Sequence, residues 1–390
     1  MNLVKLGDIC NFFNGGAWTQ TEFTEVGYPV LKVSNCKNSG FEVDDVSYIP
    51  YDIAQRSENN KLYIGDVIIA TVGSHPNLVE SAAGRSCIVT EKVQGFYLNQ
   101  NAVCLRSKDP NVLDQRYLGY LAASAPFKHY IQSRGKGAAN QMRIAIGAIK
   151  GYEFALPEID VQRKVGSILG AYDSLIENNQ KRIKLLEEAA QRLYKEWFVD
   201  LRFPGHETTP ITDGIPEGWS CEAIDDVYSI KYGKTLPTTK INSAGKYPVY
   251  GASKVIGYYN QKNCDDYAIL ITSRGNAGVV HRTHHKKSFV TNNSFIVIPK
   301  NKDLHNAFIY FQMYQLNFKS IVTGACQQQL TNNLISQKRI VVPSTSTVKM
   351  FNMEADPLFE HIEVLIKENS NLAEARDRLL PKLMNGEIEV

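Results

Sequence analysis

Residues 161–200 read VQRKVGSILGAYDSLIENNQKRIKLLEEAAQRLYKEWFVD, and apolar side chains recur along them at Val165, Leu169, Tyr172, Ile176, Ile183, Leu186, Ala190, Leu193 and Trp197. Steps of four and three residues are the signature of a coiled-coil seam, and Asn179 is its polar interruption, the residue type that fixes register at such a position. A helix of about 40 residues is about 60 Å long, more than a small domain needs to close its own core. A spacer is the economical reading. The pattern returns near the C-terminus at Phe351, Ala355, Leu358, Ile362, Leu365, Leu372, Leu379 and Leu383, with Asn369 and Arg376 as polar occupants.

The two helical stretches align without a gap at the offset of 186 residues that separates Pro157 from Pro343. The segments before them echo each other too. Leu6-Gly7-Asp8-Ile9 running to Gly15 returns as Ile224-Asp225-Asp226-Val227 running to Gly233, and Tyr28-Pro29-Val30 returns as Tyr247-Pro248-Val249. An apolar run ending in Thr, Val67 to Thr71 with Gly73 beyond, matches Ala268 to Thr272 with Gly275 beyond; Asn101 to Leu105 matches Asn293 to Val297. Helix-like stretches at about 112–133 and 305–322 follow, then small-residue loops and an apolar strand ending in proline. The chain therefore divides into a globular unit at 1–156, a central helix at 157–203, a second globular unit at 204–342 and a C-terminal helix at 343–390. The fold class is α+β: two mixed α/β units separated by two long helices that form an antiparallel coiled coil, a pseudo-two-fold internal repeat. Pro204, Pro210 and Pro216, with Gly205, Gly214 and Gly218, mark an extended connector into the second unit.

Composition narrows the function. The 390 residues are 43% hydrophobic and 21% charged, which excludes a disordered or fibrous chain. The seven cysteines are scattered with no C-x-x-C pair, so neither a disulfide framework nor a structural zinc site is encoded, and a reducing compartment is expected. No signal-like start or long apolar window is seen, so a cytoplasmic protein is expected. The net charge of +3 permits a polyanionic partner without requiring one. Gly233-Lys234-Thr235 lacks the upstream glycine of a phosphate-binding loop, since position 228 is Tyr228. There is no Asn-Pro-Pro-aromatic tetrapeptide of the kind that holds a flipped base for methyl transfer. No catalytic residue, cofactor or metal is assigned.

Loop chemistry points to nucleic acid. Arg sits beside Gly in both units, in Arg134-Gly135-Lys136 and in Arg274-Gly275-Asn276, so the backbone can approach a surface while a guanidinium reaches forward. Gln141 and Arg143 in one unit and Gln327, Gln328 and Gln329 in the other add side chains able to read base edges. His281, Arg282, His284, His285, Lys286 and Lys287 form a basic strand and turn, taken as a DNA-facing loop; a metal cluster of the three histidines is disfavoured by the adjacent cations.

The chain resembles the specificity (S) subunit of type I restriction-modification systems. The resemblance rests on Leu193-Tyr194-Lys195-Glu196-Trp197-Phe198-Val199-Asp200 with Phe203-Pro204-Gly205, on Ile215-Pro216-Glu217-Gly218-Trp219, on the Gly-rich loop with Gln141 ahead of Leu156-Pro157, and on Arg378-Leu379-Leu380 with Gly386-Glu387-Ile388. It implies two target-recognition domains, each reading one half of an asymmetric bipartite site in double-stranded DNA. It also implies helices that set the half-site spacing and dock two methyltransferase subunits, with restriction/translocase subunits in the full complex. The chain alone would be non-catalytic, within an S-adenosylmethionine-dependent methyltransferase and ATP-dependent endonuclease. Two rivals stay open on residues alone: a coiled-coil scaffold with protein- or glycan-binding ends, and a metal hydrolase around His281, His284 and His285.

Overall fold

The computed structural model describes residues 2–37, 40–43, 45–74, 82–137, 142–323 and 329–390. Two compact units emerge, one of Met1–Ile176 with Asn371–Val390 and one of Glu177–Ser370. The division falls inside both long helices, so each unit owns one half of each.

The first unit is built on a four-stranded antiparallel sheet in the order Cys10–Asn14, Ala102–Ser107, Val67–Ala70, Ser86–Ile88. The second repeats it with Tyr228–Tyr232, Ser294–Pro299, Ile269–Thr272 and Val280–Arg282. All four residues of Val67–Ala70 and of Ile269–Thr272 are buried, as an uninterrupted apolar run requires when both faces of a strand are covered. A parallel pair recurs beside each sheet, Tyr28–Leu31 with Tyr97–Leu98 and Tyr247–Tyr250 with Phe289–Val290. Each globular part is closed by an antiparallel pair that joins its two ends, Asn2–Lys5 on Glu153–Leu156 and Ser220–Ala223 on Arg339–Val342.

Register corrects one equivalence drawn from the sequence. Ala102 stands opposite Ala70 and Ser294 opposite Thr272, so Ala70, not Thr71, is the counterpart of Thr272. Gly73 and Gly275 then both lie three residues beyond the matched position, and backbone pairing, not the shared Thr, sets the match.

The helix-like stretches are also interrupted. The first splits into Gln115–Ala123 and Ala125–Gln132 at Ser124, whose hydroxyl accepts the Phe127 N–H while Pro126 opens the second helix. The second stops at Gln315 and continues as a 3-10 turn, Phe318–Ile321, after Asn317 at φ +42°.

The long helices run Ile159–Tyr194, extended by a π-turn at Lys195–Val199, and Thr345–Met384. They pair antiparallel. In the first unit Asp173 meets Arg376 at 2.5 Å, and Val165 and Leu169 share a core with Leu379, Leu380 and Leu383. In the second, Arg182 lies 3.0 Å from His361, and the rings of Tyr194 and Trp197 lie 5.9 Å from that of Phe351. Gln162 anchors the start of the first helix: its amide donates to Val112 and Pro157 carbonyls and accepts the Asp114 N–H.

The seam drifts from the expected positions. Leu193 and Leu358 are only half-buried, whereas Tyr194 and Phe359 are buried in the second unit's core with Ala190, Trp197, Phe351 and Ala355. A straight helix gains about 20° per heptad against a strict 3.5 repeat, and the aromatic face turns towards the globular part. Ile362 and Leu365 are buried; Tyr172, Ile176, Ile183, Leu186, Leu372 and Leu379 are half-buried. Asn179 is buried with its Nδ2 unpartnered. Among the described residues no helix is long and apolar enough to cross a membrane.

Candidate nucleic-acid interface

In each unit two crossing segments form an edge at the end of the central buried strand. In the first unit, Ile144 donates its N–H to Thr71 O at 2.8 Å, and Lys136 and Arg143 exchange a pair of 2.8 Å backbone hydrogen bonds. In the second, Leu330 donates to Ser273 O at 3.0 Å, and Gln329 bridges Arg274. Ile144 and Leu330 differ by the same 186-residue offset, so Arg143 and Gln329 occupy one place in the repeat.

The edge is basic and open. Lys136, Arg143, Arg274 and Asn276 are exposed, Gln329 is half-buried, and among the described residues Lys136, Arg143 and Arg274 form no ion pair. Arg134 instead folds back on its own helix, its guanidinium 3.6 Å from the Tyr130 ring centroid and donating to Tyr130 O at 3.2 Å. Two glycines permit this geometry. A Cβ on Gly135 would lie 2.3 Å from the Met142 side chain, and Gly275 sits at φ +80°, in the left-handed region. Gln141, Gln327 and Gln328 lie outside the described residues.

The basic strand and turn at 281–287 do not join this edge. Val280–Arg282 pairs with Ile269–Thr272, so Arg274 and Asn276 occupy the turn at one end of that hairpin. Thr283 N–H bonds Ala268 O at the other end, four residues along the strand from Thr272, leaving His284 to Lys287 about 13 Å away.

The strand residues that lead into that second end are committed to packing. Arg282, expected to face DNA, has a side chain only 8% exposed and donates to Glu363 Oε1 at 2.8 Å, with its guanidinium 4.4 Å from the Tyr267 centroid and 4.7 Å from that of Phe359. His284 Nδ1 lies 3.5 Å from the same carboxylate, and the His284 backbone N–H donates to Tyr250 Oη at 2.8 Å. The Tyr250 hydroxyl also lies 2.9 Å from His285 Nδ1. His281 is pushed down to about 4 by burial and by the nearby His284, and its ring nitrogens lack a well-formed hydrogen bond, the Val279 backbone giving at most a weak one. Burial likewise lowers His285. Among the described residues no three potential ligands, these histidines included, converge as a metal site would require. His284, His285, Lys286 and Lys287 are all exposed.

Residues 1–188 and 216–350 match the family model described as the type I restriction modification DNA specificity domain. The chain belongs to the type I restriction-modification DNA specificity family. It is 25% identical over 299 residues to the type I restriction enzyme MjaIX specificity subunit of Methanocaldococcus jannaschii, covering 70% of this chain and 69% of that protein. It is 20% identical over 392 residues to the HindI specificity subunit of Haemophilus influenzae, covering 78% and 84%. Among solved structures, the type I restriction-modification S subunit from M. genitalium superposes with a TM-score of 0.56 at 17% identity, over 98% of this chain and 96% of that one, a likeness of fold.

One feature of this specificity chain escaped the sequence reading. Tyr232 ends its strand opposite Phe295 at the same edge as Arg274, 46% exposed, with ring centroids 4.3 Å apart, while Tyr228 at the other end of the strand is fully buried. The period-two pattern of Tyr228, Ile230 and Tyr232 reads as three core residues, and only the end of the sheet leaves the last one uncovered.

Proposed function

We propose that this chain is the non-catalytic DNA-recognition subunit of a type I restriction-modification enzyme, each globular part reading one half of an asymmetric bipartite site. The observation that carries this is the repeated edge: the same strand crossing in both units presents exposed cations without an ion pair among the described residues, Lys136 and Arg143 in one and Arg274 beside Asn276, Gln329 and Tyr232 in the other. Planar guanidinium and amide groups match base edges in the major groove, and glycine lets the backbone come close. Because the edge residues differ, the half-sites differ. Lys286 and Lys287 contribute charge attraction that is indifferent to sequence, while Arg134, His281, Arg282, His284 and His285 support the fold around the loops.

The long helices set the gap between half-sites and dock two methyltransferase subunits; restriction/translocase subunits complete the assembly. The boundaries at 156, 203 and 342 divide recognition domains from spacers. Co-expression with a partner methyltransferase followed by methylome sequencing tests the reading: a bipartite methylated motif is expected, and exchanging residues 204–342 for those of a relative must change one half alone. Inserting four residues after Leu186 adds about 6 Å of helix and should lengthen the unread gap without altering either half-site. An undivided motif, or a change in both halves on exchange, overturns the assignment.

A further inference from the structure

The first unit contains a thiol pair that its sequence spacing conceals. Cys36 lies on the short strand Cys36–Lys37, paired with Gly40–Phe41, and Cys87 on Ser86–Ile88, the edge strand of the main sheet. Although 51 residues apart in sequence, the two share one hydrophobic core with Cys104, and their side chains are close enough to act on each other's protons. The backbone around them is equally close: Cys87 Sγ lies 3.7 Å from Lys37 O, and Arg85 Nη1 donates to Cys36 O at 2.6 Å.

Their environments are unequal in a way that matters for chemistry. Cys87 is half-buried and Cys36 is 3% exposed. The hydrogen bond from Cys36 holds the Cys87 thiol below its ordinary value against the effect of burial, and the positive charges of Arg85 and Lys128 act in the same direction. That same bond, together with burial, keeps the Cys36 thiol protonated. A partly accessible, thiolate-prone sulfur next to a protected second thiol is the arrangement of a peroxidatic and a resolving cysteine. Cys104, two strands from Cys87 in the sheet, is held protonated by burial and by Asp66, and so offers an internal comparison.

We propose that Cys36 and Cys87 form a reversible disulfide when the protein meets a peroxide. The Cys87 thiolate attacks one peroxide oxygen, cleaving the O–O bond, and becomes a sulfenic acid while the other oxygen leaves as hydroxide. The Cys36 thiol then attacks the Cys87 sulfur, the S–O bond breaks and the sulfenic OH departs as water with the Cys36 proton, while the hydroxide of the first step takes up the proton that Cys87 had released to solvent. Two thiols lose two electrons and hydrogen peroxide is reduced to two waters. The bond clamps the hairpin after Lys32 to the edge strand of the first unit and leaves the second unit untouched.

The test is chemical and independent of DNA binding. The full chain is treated with hydrogen peroxide, remaining thiols are alkylated, and peptides are mapped by mass spectrometry. Linked peptides bearing Cys36 and Cys87, lighter by two hydrogens and restored by dithiothreitol, are expected, with Cys104 alkylated as before. Cys36→Ser should leave Cys87 as a sulfenic acid trapped by dimedone, and Cys87→Ser should leave Cys36 a free thiol. The proposal is overturned if wild-type Cys87 proceeds to sulfinic acid while Cys36 stays free, or if peroxide links a different pair first. The wild-type map decides the matter even if a serine variant fails to fold.

Discussion

Arg282 and Glu363, 81 positions apart, form a 2.8 Å ion pair in which neither side chain exceeds 12% exposure, and this pair joins the edge strand of the second unit's sheet to its long C-terminal helix. A cation inside a basic run is thereby removed from the surface. Removing one member leaves the other buried without its counter-charge, which costs about 3–5 kcal/mol, whereas replacing both by apolar residues of similar size costs little. Glu363→Ala should therefore lower the urea midpoint of the second unit sharply, and Arg282→Met with Glu363→Leu should recover most of it. Equal losses in the single and double variants would mean that the pair contributes through shape alone.

The edge residues should behave as readers. Arg274→Ala is expected to weaken binding to the cognate duplex by about tenfold, or about 1.4 kcal/mol, and to relax one half-site only; Arg143→Ala should do the same for the other half. Lys286→Gln with Lys287→Gln should instead flatten the salt dependence for all sequences alike. Binding isotherms at several salt concentrations, on cognate and scrambled duplexes, separate the two behaviours.

His281 gives the second unit an acid sensitivity. Its folded value of about 4 lies below the ordinary 6.5 because burial disfavours the imidazolium. Between those values the unfolded chain binds the extra proton, so stability is fully present above about pH 6.5 and falls as the pH drops, approaching about 1.4 kcal/mol per pH unit midway. Unfolding curves from pH 7 to 4.5 should show this slope, and His281→Leu should flatten it. An unchanged slope in the variant would assign the sensitivity to other groups.

Asn179 is 3% exposed with an unpartnered Nδ2 on the helix seam, and Asn369 on the facing helix has an unpartnered Oδ1. A buried amide left unsatisfied costs about 1–3 kcal/mol, so Asn179→Leu should raise the thermal midpoint. If the asparagine specifies register, the stabilised variant should also lose uniqueness of helix pairing, seen as broadened helix signals in exchange or NMR measurements. A lower midpoint would show that the amide is satisfied by water.

Periodicity, repetition and composition carried the architecture. The four-three alternation from Val165 to Trp197, its return after Pro343 and the echo of Tyr28-Pro29-Val30 in Tyr247-Pro248-Val249 are local regularities, and a helix or strand can be read wherever burial imposes a period on neighbouring residues. The family resemblance rested on short motifs, Leu193 to Asp200 and Ile215 to Trp219 among them, and the glycines of the Arg-Gly loops were legible because backbone geometry is a property of single positions.

What remained for the tertiary structure were relationships between distant residues. Arg282 read as a surface cation because its counter-charge, Glu363, comes from the other end of the second unit, and no local pattern announces such a pair. Arg274 and Lys286 were both expected to face DNA, yet strand pairing places them at opposite ends of a hairpin. Tyr194 and Phe359 displaced Leu193 and Leu358 from the buried face because a straight helix turns away from a strict heptad. Cys36 and Cys87 became neighbours only when the hairpin folded against the edge strand. The order of elements follows from the chain's own periodicities; which side chains meet is decided by registers and packing that bring residues together across tens of positions.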